Sequence, residues 1–92
     1  GVLAPNDLVA LTMEGELLSA GLRIPGDIAL IGFDNELFSE CAPIPITTVD
    51  QNDNAIAAYA VSMLLDIIGD KSGCNAARKI SVRPELIIRQ TS

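Results

Sequence analysis

The chain of 92 residues carries twelve acidic and six basic side chains, a net charge of −6, and 49% of its positions are hydrophobic. That length holds one domain at most, and that hydrophobic share excludes a disordered chain. The excess of acid excludes this segment as a grip on a phosphate backbone, which needs clustered Lys and Arg; the only adjacent basic pair is Arg78-Lys79.

Val2-Leu3-Ala4 reads as a short strand stopped by Pro5. Asn6 and Asp7 are both good N-cap residues for a helix running to about Ala20, with Leu8, Leu11, Leu18 and Leu22 at helical spacing and Gly15 on the same face. Gly21 supplies the stop, and Leu22 to Asp27 is a turn whose geometry comes from Pro25-Gly26. Ile28 to Phe33 follows as a strand apolar on both faces, ending abruptly at Asp34-Asn35. Residues 35–41 suit one or two helical turns, and Ala42-Pro-Ile-Pro45 favours extended chain. Ile46-Thr-Thr-Val49 is β-branched and reads as strand. Asn52 or Asp53 caps a second helix whose apolar stripe, Ile56, Ala60, Met63, Leu64, Ile67 and Ile68, ends at Gly69. An exposed polar loop over 70–77 leads to strands at 79–82 and 85–90, divided by Pro84.

Strand, helix, strand, crossover, helix, strands is an α/β order with parallel pairing. A strand buried on both faces needs helices above and below it, and two helices with few strands do not supply that cover. The expectation is therefore a part of a larger α/β protein.

With no histidine, the commonest general base and metal ligand are both missing. Cys41 and Cys74 have no metal-binding spacing and read as two unpaired thiols. Nothing else pairs a nucleophile with a base, so enzyme activity and cofactors are not expected. No apolar run approaches the roughly 20 residues that span a bilayer. The chain opens without a signal pattern, which carries no meaning in a piece of a longer protein. Glu14, Glu16, Glu36 and Glu40 read as a solvated acidic surface.

Asp34 stands where open parallel sheets bind ligands, beyond the carboxyl end of a strand. An ionised carboxylate there only accepts hydrogen bonds, which suits sugar or ribose hydroxyls. Position alone leaves this reading level with plain capping of the helix that follows. Asn6 ends the first strand in the same way, but N-capping is the stronger reading there. A phosphorylatable receiver, with Asp34 as acceptor, would need further acids to hold magnesium, and Asp7 is the only candidate.

Taken together, Asn6-Asp-Leu-Val-Ala-Leu11, the stretch from Ala20 through Gly-Leu-Arg-Ile-Pro-Gly-Asp to Gly-Phe-Asp-Asn35, Pro45-Ile-Thr-Thr-Val-Asp-Gln51 and Arg83-Pro-Glu-Leu-Ile-Ile-Arg89 resemble the C-terminal part of the lactose-repressor/galactose-repressor family of bacterial transcription regulators. The resemblance covers nearly the whole chain. It implies a two-lobed, periplasmic-binding-protein-like fold, incomplete here, with residues 1–49 and 85–92 mainly in the C-terminal lobe and 50–84 forming a crossover and a helix of the N-terminal lobe. It implies a small-molecule effector of the sugar or nucleobase class, contacted by Asp34, Asn6 and Leu8. Gln51 falls on a strand crossing between the lobes, with Asp53 just beyond it. A homodimer interface falls on Leu11, Cys41 and Ala42. Operator DNA would be met only through an N-terminal module outside this chain, in the cytoplasm, with no membrane contact. A periplasmic sugar-binding protein of a transport system shares the fold and is the alternative; its members usually lack the Leu-Arg-Ile-Pro-Gly-Asp and Pro-Ile-Thr-Thr-Val connections.

Overall fold

The computed structural model describes residues 1–70, 73 and 77–92. The elements in chain order are β1 (Val2–Leu3), α1 (Asp7–Ser19), β2 (Leu30–Ile31), α2 (Leu37–Glu40), β3 (Thr48–Asp50), α3 (Asp53–Gly69) and β4 (Glu85–Ile87). Both long helices lie where capping chemistry and periodicity place them. Asn6 caps α1, its side-chain oxygen accepting the Val9 N–H at 2.8 Å. Gly21, at φ +82°, ends the helix: its N–H donates to the Leu18 carbonyl and that of Leu22 to the Leu17 carbonyl, so two carbonyls of the last turn are satisfied.

The face that α1 buries differs from the leucine stripe. Asp7, Ala10 and Glu14 are its buried residues, while Leu8 is 63% exposed and Leu18 and Leu22 face solvent. The physical reason is that α1 packs over a strand end and a loop whose N–H groups need acceptors. Asp7 and Glu14 supply these, Ala10 allows the close approach, and leucine does neither. Glu14, read from sequence as surface, is buried and accepts the Ile44 N–H at 3.0 Å.

β1 pairs in parallel with β2, as the two-sided apolar strand requires, and β3 pairs antiparallel with β4. The two small sheets meet through a single parallel bridge, Ile31 to Thr47. The regular part of the second strand is shorter than 28–33, yet its backbone is bonded on both sides. The Ala29 and Ile31 carbonyls accept from Val2 and Ala4, while the N–H groups of Leu30, Gly32 and Asp34 donate to Thr91, Thr47 and Val49. Residues 79–82 do not form the expected strand, and the last strand contracts to Glu85–Ile87, opposite Thr48–Asp50.

The core is Ala4, Ala10, Ile24, Leu30, Ala42 and Ile46, with Val2, Leu11, Met13, Leu17, Ile28 and Ile44 packed against it. α3 takes no part and buries none of its residues. Its Ile56, Tyr59, Ala60 and Met63 share only an open groove with Ile80 and Val82. The chain accordingly measures 63 × 18 × 17 Å with a radius of gyration of 18.5 Å, against roughly 12 Å for a compact domain of this length.

Candidate functional site

A cleft of about 340 Å³, lined by Asn6, Asp7, Leu8, Asp34, Glu36 and Phe38, opens where β1 and β2 both end. Asn6 and Leu8, two residues apart, thus share one cleft with the distant Asp34. The chain leaves β2 through two consecutive residues in the left-handed region, Asp34 at φ +100° and Asn35 at φ +53°. Such a turn is uncommon for side-chain-bearing residues and persists where neighbours fix it.

Asp34 donates its N–H to the Val49 carbonyl at 2.9 Å, and its Oδ1 accepts the Gln51 side-chain amide at 2.7 Å. Its Oδ2 has no partner among the described residues. Asn6 also lines the cleft and spends its oxygen on the α1 cap, while its amide nitrogen has no partner among the described residues. Leu8 and Phe38 add apolar wall, and the exposed Glu36 adds a second carboxylate. The opening therefore offers one rigid acceptor, one donor and two apolar surfaces, a set suited to a small molecule carrying hydroxyl or N–H donors.

Asp7 also lines the cleft, but both of its oxygens are occupied. Oδ1 accepts the Thr48 hydroxyl at 2.7 Å and Oδ2 the Glu36 N–H at 2.8 Å, in a residue with no exposure. Asp7 is a fastener joining α1, β3 and the turn after β2, not a second acid beside Asp34. The receiver reading loses its required partner, and among the described residues no group of three His, Cys, Asp or Glu side chains is placed to hold a metal.

Three further residues shape the site. Asn35 donates its side-chain amide to Asp50 Oδ2 at 2.9 Å, and Arg89 donates to Asn35 Oδ1 at 2.8 Å. The Asn52 N–H, and after it the Asn35 amide, hold the Asp50 carboxyl below its ordinary range. Sequence reasoning assigned Asp50, Asn35 and Arg89 no role in the site. A lone arginine closing an apolar Leu-Ile-Ile run was the one available signal, and its partners lie 43 to 54 residues away.

The residues expected at a dimer interface are dispersed in character. Leu11 is half-buried against the core, Ala42 belongs to the core, and Cys41 is a free, exposed thiol. Cys74 lies outside the described residues. No helix among the described residues is long and apolar enough to cross a membrane.

The family profile described as periplasmic binding protein-like domain matches residues 1–92. The HTH-type transcriptional repressor PurR of Pasteurella multocida is 38% identical over 90 residues, covering 98% of this chain and 26% of the relative. A LacI family transcriptional regulator from Lactobacillus casei with bound sucrose superposes with a TM-score of 0.83 at 35% identity, over 99% of this chain and 32% of that one. The lac repressor dimer bound to operator and the anti-inducer ONPF gives a TM-score of 0.84 at 27% identity, over 98% and 30%. The chain thus spans about a quarter of the length of the curated relatives it matches. The profile matches every residue, so the chain belongs to the periplasmic binding protein-like domain family, and the relatives and solved structures it resembles are LacI-type transcription regulators.

Proposed function

We propose that this chain is the C-terminal part of the effector-binding domain of a cytoplasmic transcription regulator. Residues 1–49 and 85–92 make most of one lobe, and 50–84 supply the crossover and a helix of the other. The lack of any buried residue in α3 supports that division, since an apolar helix needs cover from further chain. The domain is a binding module, not an enzyme, and uses no cofactor. It pairs as a homodimer through the region of α1 and Cys41-Ala42 and meets operator DNA only through a separate N-terminal module.

The observation that carries the effector reading is Asp34. It is fixed by Val49 and Gln51 at a strand end, its Oδ2 has no partner among the described residues, and it lines a cleft shared with Asn6 and Leu8. Acceptors dominate this wall, which favours a neutral, donor-rich effector of the sugar or nucleobase class. Gln51 begins the crossover, so an effector that engages Asp34 also acts on the segment between the lobes. Switching follows only if the effector binds one lobe arrangement better than the other. That the sequence relatives are DNA-binding repressors favours this reading over a transport receptor.

The test is calorimetry on the full-length protein with glucose, sucrose, cellobiose, adenine and guanine. Binding of one of them, weakened about tenfold to a hundredfold by Asp34→Ala, is expected for loss of a hydrogen bond to a charged group. Unchanged affinity in that variant removes Asp34 from the site.

A further inference from the structure

Arg89 is half-buried, yet its guanidinium meets no carboxylate among the described residues. Nη1 donates to Ser39 Oγ at 2.8 Å and to the Ile46 carbonyl at 3.0 Å, and Nη2 donates to Asn35 Oδ1 at 2.8 Å. These three acceptors belong to α2, to the chain entering β3 and to the left-handed turn beside Asp34. A planar fork with several fixed donors reaches all three at once; an ammonium on a flexible stem does not.

Asn35 is gripped at both ends of its amide. Arg89 can only donate and ionised Asp50 can only accept, so the two together dictate which way the amide faces. Its backbone N–H is held as well, by the Thr48 hydroxyl at 3.2 Å. A residue at φ +53°, following one at φ +100°, needs such restraint to stay in place.

We infer that Arg89 is the positioning residue of the cleft: by fixing Asn35 it fixes the turn that sets the direction of the Asp34 carboxylate. The inference rests on the reading of Asp34 as the effector carboxylate. It also makes Arg89, Asn35 and Asp50 one line of contacts from the end of the last strand, past the cleft, to the start of the crossover.

The experiment is hydrogen–deuterium exchange on the full-length protein, in Arg89→Met, which keeps the aliphatic stem, in Asn35→Ala and in the double variant. Arg89→Met is expected to speed exchange of the amides of residues 34–36 at least tenfold while those of Gly21 and Leu22 keep their rates. Adding Arg89→Met to Asn35→Ala is expected to change residues 34–36 no further, since the two act in series. Unaltered exchange at 34–36, a loosening spread evenly over the chain, or additive effects in the double variant would each overturn the assignment. The readout needs no effector, so its result is independent of calorimetry on Asp34→Ala with the five compounds above. Full affinity in that variant sinks the effector reading alone, and unaltered exchange in Arg89→Met sinks the positioning role alone.

Discussion

Gly32 faces the Asp7 carboxylate so closely that a Cβ on residue 32 would collide with Asp7 Oδ1 and come within 3.3 Å of Ala10 Cβ. The absence of a side chain at this one position, just past β2, is what lets α1 dock there with its acid buried. Gly32→Ala is therefore expected to destabilise the full-length protein by roughly 1–3 kcal/mol through overpacking. Urea unfolding measures this, and an unchanged midpoint would show that the helix can shift without cost.

The Thr48 hydroxyl serves two groups: it donates to Asp7 Oδ1 and accepts the Asn35 N–H. Thr48→Val keeps the shape and removes both bonds, leaving a buried carboxylate short of a donor. A loss of about 2 kcal/mol is expected, with Thr48→Ser retaining most of the stability because the hydroxyl survives. Equal stabilities for the two variants would contradict this account of Asp7.

Asp27 closes the turn after α1. The Arg23 side chain, followed by the Arg23 backbone N–H, holds its carboxyl below the ordinary 3.8. A depressed carboxyl contributes its stability fully above the unfolded value and loses it as pH falls through the folded value. The clasp is thus intact near neutrality, weakens once pH falls below 3.8 and is lost as pH falls through the lower folded value. Because Arg23 is largely exposed, added salt weakens the charged part of the contact. An NMR titration of the Asp27 carboxyl should give a midpoint under 3.8; a midpoint at or above that value would rule the clasp out.

Gln51 is expected to matter for affinity more than for folding. Its amide occupies Asp34 Oδ1, and Gln51→Ala frees the carboxylate to rotate. Loss of one such bond corresponds to about a fivefold weaker affinity for whichever of the five test compounds binds. If affinity holds while Asp34→Ala abolishes it, the backbone alone orients Asp34.

Residues 1–92 produced alone are expected to self-associate. On α3, Leu65 is 61% and Ile68 is 68% exposed, with Ile56, Tyr59, Val61, Leu64 and Ile67 also open. Size-exclusion chromatography with light scattering should show oligomers that bind an apolar dye. A clean monomer without dye binding would mean that α3 needs no cover.

Much of this was legible in the sequence, for reasons that are local. Asn6, Gly21 and Asn52 mark helix ends through their own side-chain and backbone geometry, and the stretch from Ile28 to Phe33 announces a central strand by being apolar on both faces. What stayed hidden depends on distant partners. Glu14 reads as surface until Ile44, thirty residues on, presents an N–H to it. Asp7 resembles an ordinary first-turn acid until Thr48 and Glu36 arrive. The 79–82 run has strand composition but pairs with no strand among the described residues, and composition alone does not make a ladder. Of the site, the carboxylate was visible at the strand end; the arginine that braces its turn was not.

Thr91 has a consequence for how this protein is made. Its carbonyl accepts the Leu30 N–H, and its hydroxyl donates to the Leu30 carbonyl at 2.6 Å while accepting the Thr47 N–H at 2.9 Å, across 61 and 44 residues. At ordinary elongation rates the ribosome delivers Thr91 roughly 3–12 s after Leu30. Gly32 and Asp34 can bond to Thr47 and Val49 well before then, but throughout that interval the Leu30 end of the same flank has no partner and is an open edge. Closure of that end thus waits on the arrival of residue 91, and products that stop short of it leave both backbone groups of Leu30 unpaired on that side.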